Sequence, residues 1–118
     1  MTEKIPEHGV SSTAGDGIAI VLTTVGGDFD AVAIARILVE EQLAACVNVL
    51  PVMTSVYRWK EKIEQDREQQ LVIKTTVANV ARVESRLRAL HPYELPEFLV
   101  LDASAGEAYG KWVAESIA

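Results

Sequence analysis

The feature that most constrains this chain is a stretch of β-forming sequence longer than anything else it encodes can cover. Between Cys46 and Ile63, the residues Val47, Val49, Val52, Val56, Tyr57 and Trp59 favour pleated structure. Beyond the charged segment Lys60 to Arg67, the run Gln69-Gln70-Leu71-Val72-Ile73-Lys74-Thr75-Thr76 reads as an antiparallel partner. Pro51 cannot donate a ladder hydrogen bond, so it marks a bend or bulge in the first arm. A strand of about fourteen residues is roughly 45 Å long, whereas a helix of about fourteen residues covers only roughly 21 Å. Half of the hairpin therefore outruns its cover, carrying Val56, Tyr57 and Trp59, and a bare apolar ribbon is marginal in water and exposes edges that invite pairing. This reading predicts an obligate homo-oligomer in which the hairpin aromatics are buried between copies. The rival reading is a short hairpin with a floppy loop from Trp59 to Arg67. The number of copies stays open, because cyclic closure depends on geometry that the pattern does not carry.

The rest of the chain frames that hairpin. Ile18-Ala19-Ile20-Val21-Leu22-Thr23-Thr24 reads as a buried strand ending before Gly26-Gly27. Asp28 or Asp30 caps a helix that places Ala31, Ile34, Ala35 and Leu38 on one face and runs to about Ala44. Val80, Val83, Leu87 and Leu90 define a second amphipathic helix from Asn79 to Leu90, ended by Pro92. Phe98-Leu99-Val100-Leu101 reads as a buried strand, and Tyr109, Trp112, Val113 and Ile117 lie on one stripe of a terminal helix that Gly110 weakens. The order β-α-β-β-α-β plus a helix is the split βαβ pattern of an α+β fold, with one four-stranded antiparallel sheet and helices on one face. Residues 1–16 lack periodicity and read as a mobile tail, which leaves one domain from 17 to 118.

Composition narrows the function. Seventeen acidic residues against eleven basic ones give a formal charge of -6, which repels phosphate backbones and anionic headgroups, so neither nucleic acid nor membrane is an expected partner. A single cysteine forms no internal disulfide, and with no apolar run long enough to span a bilayer the expectation is a cytoplasmic chain.

Three segments resemble a known family. Leu43-Ala44-Ala45-Cys46-Val47-Asn48-Val49-Leu50-Pro51, then Thr54-Ser55-Val56-Tyr57-Arg58-Trp59 with Lys62-Ile63-Glu64, and His91-Pro92-Tyr93-Glu94-Leu95-Pro96-Glu97 are similar to the hallmark regions of the CutA divalent-cation tolerance proteins. Ala108-Tyr109, Trp112 and Glu115-Ser116 resemble that family's closing helix. The resemblance implies a ferredoxin-like subunit in a tight homotrimer, similar in architecture to PII signalling proteins. It also implies binding of divalent metal ions such as copper, and no defined enzymatic reaction. The chain departs from the family pattern at Glu61, where glycine is usual and a differently shaped hairpin tip is expected. It also departs at Thr23, where some members carry a second cysteine.

The candidate chemistry is sparse. His91, Glu94 and Glu97 share one proline-rigidified turn, a mixed imidazole and carboxylate set suited to a divalent ion such as copper or zinc. The competing role for His91 is to cap the preceding helix. Cys46 offers a soft thiolate to Cu(I), but reads better as an inert buried cysteine. Tyr57, Arg58, Trp59, Lys62 and Tyr93 are candidates for an inter-subunit cleft that binds a small molecule or a protein, the PII-like alternative. Val56, Tyr57, Trp59 and Trp112 are the expected oligomer contacts, since aromatic residues dominate interface energetics. Gly26-Gly27-Asp28 lacks a phosphate-loop pattern, and no serine sits in a nucleophile-elbow motif. The expected protein is therefore not an enzyme.

Overall fold

The computed structural model describes residues 10–11 and 17–118. In chain order it contains β1 (Val10–Ser11), β2 (Ile18–Gly26), α1 (Ala31–Glu40), β3 (Cys46–Val49), β4 (Met53–Trp59) and β5 (Lys62–Thr76). A 3-10 turn (Val77–Asn79) leads into α2 (Val80–Leu90), β6 (Leu99–Ala103), β7 (Ala105–Gly106) and α3 (Glu107–Glu115). The fold is α+β, with a main sheet ordered β3-β5-β2-β6, all pairs antiparallel, and β4 continuing along β5. Most of the expected tail lies outside the described residues, but Val10 and Ser11 pair with Gly106 and Ala105, so this part has strand geometry.

Local chemistry explains the helix ends. The Asp30 carboxylate accepts the Ala33 N–H at 3.0 Å, capping α1 at its start. At its end Gln42 takes φ 58°, Leu43 N–H reaches the Leu38 carbonyl at 2.9 Å and Gln42 N–H reaches that of Val39 at 3.0 Å. That is a Schellman cap built without glycine, and it stops the helix at Glu40 rather than near Ala44. Asn79 precedes α2, but its amide is drawn inward, donating to the Leu43 carbonyl at 2.7 Å and so tying the two helix junctions together. His91 leaves the helical region at ψ 134°, as a residue before proline must.

The core lies on one face of the sheet. Val21, Val25, Leu71 and Ile73 pack against Ile34 and Leu38 of α1 and Val83 and Leu87 of α2. Each such side chain contributes on the order of 1.5–3 kcal/mol by leaving water. The register sets Leu22 opposite both Leu99 and Val72, and Ile20 opposite Leu101, so these five share the other face. Leu99 and Leu101 are 54% and 51% exposed there. The strand expected to be buried is thus an exposed edge, because in one copy of the chain little covers this second face.

The hairpin is longer and tighter than a loop reading allows. Trp59 pairs with Lys62, and Lys60 and Glu61 both have positive φ (51° and 68°), the signature of a two-residue type I′ turn. Ile63 therefore belongs to the second arm, which begins at Lys62, instead of ending the first, and the charged segment to Arg67 is strand. The molecule measures 50 × 30 × 23 Å, and its long dimension matches a fifteen-residue β5 at about 3.3 Å per residue. Between Val49↔Leu71 and Met53↔Glu68 the first arm holds one residue more than β5, which is a bulge around Pro51. Its consequence is a switch of face: Val47 and Val49 point to the core side, whereas Met53, Ser55, Tyr57 and Trp59 point to the side of Leu99 and Leu101.

Candidate functional site

That change of face creates a cleft. The ribbon forms one wall and the Pro92 to Glu97 turn the other, with the end of β2 as floor, enclosing about 1020 Å³. Of the residues singled out from sequence, Tyr57, Arg58, Trp59, Tyr93, Glu94 and Glu97 line it, whereas Lys62 at the ribbon tip and His91 do not. Two phenols are fixed by carboxylates. Tyr57 donates to Asp66, and this bond, within the negative field of neighbouring carboxylates, pushes its hydroxyl up to about 12. Tyr93 donates to Glu68 at 2.7 Å, and burial together with that bond raises its pKa well above the ordinary phenol range. Gln70 donates to Glu97 at 3.2 Å, tying the turn to β5.

His91 sits behind the cleft as a brace. Tyr93 N–H donates to its Nδ1 at 3.1 Å, which places the ring proton on Nε2, and Nε2 donates to the Thr24 carbonyl at 2.6 Å. Both ring nitrogens are therefore occupied by backbone groups, and burial pushes the imidazole pKa down against the opposing pull of Thr24 and Glu68. Among the described residues no three His, Cys, Asp or Glu side chains gather as a metal would require. His91, Glu94 and Glu97 share a turn, but they do not fit a ready-made ion site within one chain.

Comparison with known proteins places the chain in a family. The family model described as CutA1 divalent ion tolerance protein matches residues 19–116. The chain belongs to that family. It is 43% identical over 98 residues to the divalent-cation tolerance protein CutA of Thermus thermophilus, covering 82% of this chain and 95% of the relative. It is 43% identical over 101 residues to a CutA homolog of Xenopus laevis, covering 85% and 67%. Among solved structures, CutA of Xylella fastidiosa superposes with TM-score 0.81 at 42% identity, covering 86% of this chain and 99% of that one. CutA of Synechococcus elongatus superposes with TM-score 0.83 at 37% identity, covering 92% and 96%. The CutA proteins are a divalent-cation tolerance family and not a known family of enzymes.

Other positions of interest in this CutA family member resolve differently. Cys46 is half-buried rather than buried, and it pairs with Lys74 on the sheet face that carries Leu99. Thr23 lies on the core face, 1% exposed, so a cysteine there would not meet Cys46. Gly27 N–H is spent on the Arg67 carbonyl at 2.8 Å and Phe29 N–H on Gly26 at 2.9 Å, which leaves that turn no amide pair for an anion. Sequence reasoning missed Asp28, Asp66, Arg67 and Glu68 in the cleft. The available signal was alternation: with the turn placed at Lys60-Glu61, residues 64, 66, 68 and 70 fall on the face of Tyr57. Trp112 and Tyr109 lie outside the cleft lining, their rings tilted against each other with centroids 5.4 Å apart and each residue 46% exposed. No helix among the described residues is long and apolar enough to cross a membrane.

Proposed function

We propose that this chain acts as a cytoplasmic, non-catalytic homotrimer that binds divalent cations, copper among them, and so confers tolerance of them. Family membership supports the cation role. The sheet order β6-β2-β5-β3 supports a ferredoxin-like subunit. The observation that carries the assembly is the uncovered apolar surface of a single copy: Leu99, Leu101, Val56 and Ile63 are each more than half exposed, and Trp112 nearly so. Sister copies seated on that face and ribbon bury it. Light scattering on the purified protein tests this, with a mass three times the 12.9 kDa chain expected at micromolar concentration. A stable single-chain particle overturns it.

For the ions, calorimetric titration with Cu(II) and Zn(II) on wild type and His91→Ala is the test. Coordination by His91 has to displace either the Tyr93 N–H from Nδ1 or the Thr24 carbonyl from Nε2. Equal affinities in both proteins remove His91 from the ligand set and leave Glu94 and Glu97. A second reading, a PII-like signalling or scaffold trimer, draws on the size of the cleft and its Tyr57, Arg58, Trp59 and Tyr93 walls.

A further inference from the structure

We propose that the cleft between the ribbon and the Pro92 to Glu97 turn takes an organic polyammonium ion, a flexible aliphatic chain bearing two or more charged amines. This deepens the small-molecule reading of the inter-subunit cleft and rests on it; every group it uses comes from one chain. The first argument is the sign of the charge. Five carboxylates line the cleft (Asp28, Asp66, Glu68, Glu94 and Glu97) against two guanidiniums, and no lysine. Their listless pairing is the second argument: among the described residues none forms an ion pair with a lysine or arginine. Asp66, Glu68 and Glu97 are instead oriented by neutral donors, the two phenols and the Gln70 amide. Neutral donors fix the direction of a carboxylate without cancelling its charge, so the negative field stays available to a cation.

Burial sharpens the point. Glu68 is only 8% exposed, yet it lines the cleft, and among the described residues its side chain has a single hydrogen bond, Tyr93 on Oε2, so that Oε1 can accept from a ligand. Distribution separates an organic cation from a bare metal. The acidic groups are spread along the cleft and no three of them gather, an arrangement that suits N–H donors spaced along a chain better than a single ion needing convergent ligands. The rings of Tyr57 and Tyr93 complete the match, because alkyl segments pack on aromatic rings and ammonium groups are drawn to them, as the Lys60 ammonium is to Trp59, 5.6 Å from its ring centroid.

The test is calorimetric titration of the full chain with spermidine in a buffer free of amines. The comparison is wild type, Glu68→Gln, Glu97→Gln, and the exposed-helix control Glu40→Gln. Binding that weakens at least about tenfold in both cleft variants, is unchanged in the control and declines with added salt is the expected result. Equal affinity in all four proteins would mean that spermidine senses only the overall negative charge, and it overturns the proposal. So does absence of binding to wild type, or binding of Zn(II) alone that depends on Glu68. Light scattering on the same samples keeps this apart from the assembly: no amine binding by an intact trimer sinks the ligand alone, whereas amine binding by single chains sinks the trimer alone.

Discussion

Within the fifteen residues of β5, Leu71 and Ile73 are fully buried while Ile63 is 62% exposed, although antiparallel pairing runs along both halves. The inner half lies between β2 and β3 with helices over one face, and the outer half has only β4 beside it. Backbone hydrogen bonds are therefore common to the two regions and do not distinguish them. The difference is a third layer, which removes apolar surface from water over the inner half. The outer half is a two-stranded ribbon awaiting a cover, and its inward-turned face is where the charged and aromatic groups of the cleft collect.

The sharpest way to break this comparison is to make the ribbon uncoverable. Val56→Asp is expected to convert the assembly wholly to single chains by light scattering while leaving the circular dichroism of the core intact; an unchanged mass would show that Val56 touches no sister copy. Next in size is the inner half, where Ile73→Ala should cost about 2–5 kcal/mol in denaturant unfolding. A cost as small as that of a surface change, about 0.5 kcal/mol, would erase the distinction between the halves.

Smaller effects sharpen it. The Thr23 hydroxyl is buried in the core with no hydrogen-bond partner among the described residues, so Thr23→Val should gain about 1 kcal/mol of stability, read from the unfolding midpoint. At the opposite end of the molecule, Glu61 holds φ 68° in the tip turn, and Glu61→Gly should gain roughly 0.5–1 kcal/mol by relieving that left-handed backbone. The smallest effect concerns the brace between the two regions. The folded network holds His91 neutral, and its pKa is lowered by burial from the ordinary 6.5. The unfolded chain therefore takes up the proton first as pH falls, so this contribution is complete above about 6.5 and declines as pH drops toward the lower folded value. Thermal melts across that window should show a steeper acid loss for wild type than for His91→Gln.

The order of elements was legible in the sequence because each rests on local chemistry. Asp30 capping, the 3.6-residue spacing of Ile34 and Leu38, and the β-branched run of β2 all act over a few residues. Where glycine or proline did not mark a boundary, the reading slipped: α1 ends at Glu40 with Gln42 as its left-handed cap, and the hairpin turns on Lys60-Glu61, none of them a usual residue for such a position. That second slip hid Asp66, Arg67 and Glu68. With the turn misplaced, Asp66 fell in the charged segment and Glu68 in no element, instead of at the alternate positions facing Tyr57 and Tyr93. His91 was rightly placed at the helix end, but the role of its ring depends on Thr24, which lies 67 residues earlier in the chain.

What the sequence determined on its own is the hydrophobic patterning, the caps, and a hairpin too long for its own helices, since these follow from residue types and spacing along one chain. Only the tertiary structure decided which face each residue occupies. One additional residue around Pro51 reverses the alternation of an entire strand arm, and that reversal sends Tyr57 and Trp59 away from the core and into the cleft. The side-chain period of a strand is two, so a shift of one changes every neighbour that follows, and no local pattern records it.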